Sequence, residues 1–305
     1  MSSIPAAEAE APGAGASVPR VVARAVRQYW AQQLHDRAAA LTYYAMMSLF
    51  PAVLAGVSLL GLVGGESLVT DASNYVLDHG ADKATADAVE ATLEHIVNAS
   101  SGALGVAFVI SVGLALNGAS SAFGAAGRAL NVIYAVEEDR GFVRRKLADL
   151  GMTLVVLALF VVVLVAVFLG GGIVEDIANG IGLGDTAATV WRIVRWPLAI
   201  AAAVLAYALV YAFAPAIRPP RWRWISPGAA FGVVLWLLAS AGFAVYIQNF
   251  SNYGAAYGTA GAVIVLLLWV YLSANAFLLG AVLDAELERR AQARREPPAA
   301  VPAPG

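Results

Sequence analysis

The chain has 305 residues, 60% of them hydrophobic and 13% charged, with a formal net charge of −2. Soluble domains of this length carry about 25% charged residues, so the composition argues against a soluble globular protein. There is no cysteine, which excludes disulfides, thiolate metal sites and a thiol nucleophile.

The few charges are unevenly placed. Residues 38–65, 95–127, 150–174 and 196–217 contain no Asp, Glu, Lys or Arg, and neither do residues 224–283. A helix needs about 20 mostly apolar residues to cross the hydrocarbon core. The first four stretches each suit one crossing, and the last suits two crossings and a turn. The expected fold class is therefore all-α: a polytopic membrane protein with a bundle of six transmembrane helices. A membrane β-barrel does not fit, because its strands alternate apolar and polar residues and these runs are continuously apolar.

In chain order, residues 1–19 are rich in Ala, Pro and Gly and lack the basic start and apolar core of a signal peptide; they read as a disordered tail. Residues 20–36 read as an amphipathic helix, with Val22, Val26, Tyr29, Trp30 and Gln33 near one face and Arg20, Arg24 and Arg27 mostly on the other. Such a helix either lies on an anionic leaflet or docks on the bundle. The transmembrane domain spans 37–286. Its helices are expected at about 37–64, 103–124, 149–172, 193–214, 228–250 and 258–283. Pro51 falls near the middle of the first and predicts a kink. Gly258 and Gly261, after the turn-like SNYGAAYGTAG, are candidate hinges with Pro51. Residues 66–101 form the longest loop, acidic, with a short amphipathic helix near 86–97. Residues 287–305 form a basic and then Pro-rich disordered tail. Glycines recur at four-residue spacing, as at Gly228 and Gly232, where helices can approach closely in lipid.

Basic residues decide the expected orientation. With the N-terminus inside, the inner segments hold every Lys and Arg except Lys83, Arg192 and Arg195. Both termini are therefore expected in the cytoplasm.

Four segments carry a resemblance to a known family: RAAALTYYAMMSLFPAVLAGVSLLGLVG in the first helix, NVIYAVEEDRGFVRRKL in the first inner loop, WRWISPGAAFGVVLW opening the fifth helix, and YGTAGAVIVLLLWVYLSANAFLLGAVLDAELER in the sixth. Together they resemble the YihY/BrkB family of bacterial inner-membrane proteins over about residues 20–290. The resemblance implies a six-helix bundle in the bacterial plasma membrane. It also implies two functional labels, ribonuclease and serum-resistance or virulence factor, and a suggested role in exporting or moving envelope lipids.

The residues themselves offer little for hydrolysis. The three histidines, His35, His79 and His95, have no metal-ligand spacing, and there is no phosphate-binding P-loop motif. No catalytic residue, metal or cofactor is expected, and the basic loops are explained by topology without nucleic acid. Polar side chains inside the apolar runs are more informative, since they are costly there and usually face the bundle or a cavity. Thr42, Tyr43, Tyr44, Ser48, Asn117, Ser121, Trp236 and Asn275 share a depth in the cytoplasmic half. They are candidates for a polar cavity open to the inner leaflet, or for interhelical hydrogen bonds. Arg37, Asn131, Arg140, Asp284 and Glu286 are candidates for an inner mouth, with Arg37 paired to Asp284 or Glu286. No carboxylate is expected at mid-membrane depth. The leading expectation is transport or handling of an amphipathic envelope component such as a lipid; the runner-up is a non-transporting adaptor. Membrane lipids, and either a second copy or envelope proteins, are the expected partners.

Overall fold

The computed structural model describes residues 18–63, 101–168, 184–217, 226–249 and 253–293, with isolated positions between 77 and 91. Among these the chain forms seven helices and no strand: α1 (Val18–Ala31), α2 (Leu34–Val63), α3 (Ser101–Tyr134), α4 (Phe142–Phe168), α5 (Gly184–Phe213), α6 (Pro227–Asn249) and α7 (Tyr253–Ala293). Helices α2 to α7 are each long and apolar enough to cross a membrane. Residues 1–17 and 294–305 and nearly all of the acidic loop, with its expected short helix, lie outside the described residues; residues 287–293, expected to begin a disordered tail, are helical and continue α7, and residues 18 and 19 open α1.

Several helices outrun their apolar stretches. α3 passes its expected end near residue 124 and stops at Tyr134; α4 begins at Phe142 rather than near 149. α7 starts at Tyr253 and continues to Ala293. Hydropathy marks only the part of a helix that must sit in lipid. Arg, Lys, Glu, Leu and Ala in the flanks are good helix formers, so the backbone hydrogen bonding carries on past the membrane. Stops come from turn geometry. Ala135 adopts a left-handed conformation at φ 53°, and the Val136 N–H returns to the Asn131 carbonyl at 2.9 Å, closing the end of α3 in a Schellman-like turn. Gln33, at φ 50°, makes the corner between α1 and α2.

Neighbours in sequence pack as hairpins: α2 with α3, α4 with α5, and α6 with α7. Glycines set the closest approaches. A Cβ added at Gly118 would stand 2.9 Å from the Ser48 Cα, and one at Gly228 would meet the Gly280 carbonyl oxygen at 2.5 Å. Gly232 lies against the ring of Tyr207, so the Gly228/Gly232 pair is in a tight seam, as its spacing predicts. Further along that seam two W-x3-S segments meet head to tail. The Trp236 Nε1–H donates to Ser273 Oγ at 3.0 Å, and the Trp269 Nε1–H donates to Ser240 Oγ at 3.2 Å.

The core is concentrated at one end. Val21, Ala25 and Tyr29 of α1, Leu130 and Ile133 of α3, Tyr211 of α5, and Leu278 and Val282 of α7 are buried together. We call this the basic end, for Arg20, Arg24 and Arg27 of α1 and the run Arg144, Arg145 and Lys146 that opens α4 there. α1 is thus docked on the bundle by one stripe, while Trp30, on its other side, is 62% exposed. At the far end the helices separate. Residues 244–248 of α6 are all exposed, and five consecutive residues cover every side of a helix; on α7, residues 262–264, 267 and 268 are exposed while 265, 266, 269 and 270 are half-buried.

Candidate functional site

The expected inner-mouth residues fall into two knots at the basic end. In the first, Asn131 of α3 donates through Nδ2 to Glu138 at 3.2 Å and accepts from the Ala216 N–H at 2.7 Å. Arg140 grips the same carboxylate through Nε (2.7 Å) and Nη2 (2.8 Å), and Nη2 also donates to the Ala214 carbonyl at 2.8 Å. The turn after α3 is thereby tied to the end of α5. The Arg140 hydrogen bonds hold the Glu138 carboxyl down at about 2, and Glu138 in turn raises the guanidinium above its ordinary value.

In the second knot, Asp284 of α7 is buried. Its Oδ1 accepts from the Ser226 hydroxyl and from the Gly228 N–H (3.3 Å), and its Oδ2 accepts from the Tyr134 hydroxyl at 3.2 Å. Ser226 caps α6, accepting from the Ala229 N–H at 3.2 Å, with Pro227 at the first helical position, where its missing N–H costs nothing. A carboxylate against the first turn of a helix is favourably placed in the helix dipole. The cleft beside this knot, lined in part by Tyr134, Tyr211 and Asp284, encloses room for no more than about one water. The expected pairing of Arg37 with Asp284 or Glu286 is not found: Asp284 is engaged as described, and Glu286 pairs with Arg289 at 3.1 Å. Arg37 is half-buried one turn into α2, while those acids have nearer donors. Arg289 also donates to Gln28 (3.1 Å) and to the Ile133 carbonyl (2.6 Å), capping α3.

The expected cavity residues do not converge on one space. Thr42 is buried and donates to the Ala38 carbonyl at 2.8 Å. Tyr43 is 59% exposed, on the outward side of α2. Tyr44 stacks edge-on against Tyr43. Ser48 donates to the Ala45 carbonyl at 2.8 Å and presses on Gly118. Trp236 is held by Ser273. Asn275 accepts from the Tyr29 hydroxyl and donates to the Tyr271 carbonyl at 2.6 Å; burial and nearby Tyr271 push the Tyr29 phenol up to about 12, so it remains a donor. Trp236 and Asn275 join helices, while the Thr42 and Ser48 hydroxyls bond carbonyls of their own helix, because lipid offers no other partner for a polar group. The hinge candidates are also built into helices: α2 runs through Pro51, and α7 runs unbroken through Gly258 and Gly261.

Asn117 and Ser121 differ. They begin a stripe on α3 that continues through Gly124 to Arg128, at spacings that share one helix face. Facing it from α4 are Lys146 and Asp149. The Lys146 Nζ donates to Asn117 Oδ1 at 3.2 Å, and both groups are accessible from outside the bundle. The Ser121 hydroxyl donates to the Asn117 carbonyl at 2.7 Å. A Cβ at Gly124 would lie 2.8 Å from Asp149 Oδ2 and 3.5 Å from Arg128 Nη1, so only a glycine leaves room for those two charges to approach. Asp149 is buried and lies within the span Phe142–Leu164. It stands about two turns inside α4 rather than at its start, because the apolar run begins at Leu150 but the helix begins at Phe142. The result is a polar, charged seam between two membrane-spanning helices, closed below by Asp149 and open to the surroundings at Asn117. Among the described residues, no group of three His, Asp or Glu lies close enough to hold a metal ion.

Among the described residues, seven helices and no strand, with six of the helices long and apolar, define a polytopic α-helical membrane protein. A family model described as virulence factor BrkB matches residues 25–303, and the chain belongs to that family. It is 30% identical over 273 residues to a Bacillus subtilis protein named as ribonuclease-like, YfkH, covering 89% of this chain and 96% of the relative. It is 39% identical over 93 residues to a UPF0761 membrane protein of Xanthomonas oryzae, covering 30% of this chain and 22% of that protein. A UPF0761 membrane protein of Idiomarina loihiensis is 33% identical over 104 residues, 34% of this chain and 36% of the relative. The chain thus spans about a quarter to a third of those two relatives and nearly all of the Bacillus protein. No solved structure matches. Family and fold together place the protein as a multi-pass protein of the bacterial plasma membrane.

Proposed function

We propose that this protein moves or presents an amphipathic envelope component, a lipid, with its polar headgroup travelling along the α3–α4 seam. The observation that carries this reading is the contact of Lys146 with Asn117 on a surface reachable from outside the bundle. Polar and charged side chains at membrane depth are expensive unless they face protein or a polar ligand. A lipid whose headgroup enters the seam while its chains stay in the bilayer would satisfy both demands, and no enclosed cavity is needed. The basic end, by the positive-inside rule, lies in the cytoplasm.

The test is reconstitution of the full chain into vesicles carrying a fluorescent phospholipid, with dithionite added outside to bleach accessible label. The wild type should accelerate bleaching of the inner-leaflet pool, and Asn117→Leu should return the rate toward that of protein-free vesicles at equal folded amounts. Equal rates for wild type and empty vesicles would remove the transport reading. A second reading, a non-transporting adaptor, is favoured by the two closed knots at the basic end and the water-sized cleft between them. It would then take first place.

A further inference from the structure

We infer that the α3–α4 seam selects lipids carrying a net-anionic, phosphate-bearing headgroup, bound between Lys146, Arg128 and Asn117; this rests on the lipid-handling reading above. Charge carries the inference. Arg128 and Lys146 lie along the seam, and the carboxylate found on it among the described residues, Asp149, is buried beneath them. An ammonium has three N–H donors, and Lys146 directs one at Asn117 Oδ1 at 3.2 Å, which fixes the cation in place. Arg128 is exposed, with Nη1 turned toward Gly124. A phosphate diester between them would receive charge-assisted hydrogen bonds from both, the guanidinium being suited to two phosphate oxygens at once.

The lips of the seam suit acyl chains. Leu114, one turn before Asn117, is 55% exposed, and Val143, one turn before Lys146, is 69% exposed. Each shares a helix face with the polar residue it precedes. A net-neutral ethanolamine headgroup would bring its own ammonium toward both cations, whereas a glycerol headgroup would not. Each cation near the surface is worth about 1 kcal/mol toward an anionic lipid, a factor of about five.

The test is quantitation of lipids retained by the purified full chain after equilibration with mixed phosphatidylethanolamine and phosphatidylglycerol vesicles. Wild type should be enriched in phosphatidylglycerol. Lys146→Gln and Arg128→Gln should each lower the enrichment about fivefold, Lys146→Arg should restore it, and Arg27→Gln, a cation on the exposed side of α1, should leave it unchanged. Equal losses from Arg27→Gln and Lys146→Gln would overturn the site in favour of general surface charge. Competition by water-soluble glycerol phosphate would assign it to a free phosphate instead. Lipid retained without headgroup preference, and released by Asn117→Leu, would sink this inference while sparing the transport reading. Retention of no lipid at all would sink both.

Discussion

Single residues decide how near the helices come. Gly228 is the tightest case: a methyl group there would run into the Asp284 side chain and the Gly280 carbonyl, both on backbone that cannot rotate away. Overpacking of this kind costs about 1–3 kcal/mol. Gly228→Ala should therefore lower the melting temperature in detergent by several degrees, whereas Gly141→Ala, in open space, should not change it; an unshifted Gly228→Ala would mean the α6–α7 contact is looser than described. Glu138 gives a pH prediction with a definite sign. Its folded value, about 2, lies below its ordinary 4.5, so the knot with Arg140 and Asn131 is fully present above about pH 4.5 and is lost as pH falls toward 2. Thermal unfolding from pH 7 to pH 3 should fall more steeply for wild type than for Glu138→Gln. Parallel curves would show that the carboxylate contributes nothing to the fold.

At the level of helices, the sequence is most readable where a residue type has one use. Four-residue glycine spacing predicted the Gly228/Gly232 seam because close approach in lipid needs small side chains. The ends were less readable. Transfer energy ends the apolar run at Leu150, but helix propensity does not end there, so Asp149 was expected at the boundary and stands inside α4. Two signals went unused: Ser226-Pro227 as a cap and first residue, and the paired W-x3-S segments. Those segments make a further prediction. Interhelical hydrogen bonds in membranes average about 0.6 kcal/mol. Ser240→Ala and Ser273→Ala should each cost about that much in unfolding free energy. The double variant should depart from additivity, since Ser273 bonds both Trp236 and the Trp269 carbonyl and the two indole rings touch. A loss above about 2 kcal/mol from either alone would point to a role beyond pairing. The site was half legible. Asn117 and Ser121 stood out as polar residues one turn apart, but the partners that make them a seam come from α4, and spacing along one helix cannot reveal what faces it.

For the whole molecule the open question is which way it points, and the absence of native cysteine makes that measurable. Single cysteines at Ser73 and Asp185 should react with an impermeant thiol reagent in spheroplasts. A cysteine at Gly141, exposed on the connection at the basic end, should stay protected until the membrane is opened. Labelling of Gly141 from outside would invert the orientation and turn the lysine of the seam toward the other leaflet.

The docking of α1 also bears on how the protein is made. Tyr29 is held by Asn275, and Gln28 by Arg289, so α1, besides its bonds from Gln28 and Gln32 to α3, has hydrogen-bonding partners on α7, which is made much later. Until α7 has been translated and inserted, the buried stripe of Val21, Ala25 and Tyr29 has no α7 to rest on and the carbonyls at the end of α3 lack their Arg289 donor. The basic end can therefore close only after α7 has been made and inserted. A nascent chain stalled before residue 275 should leave α1 open to protease, and its protection would mark the moment of assembly.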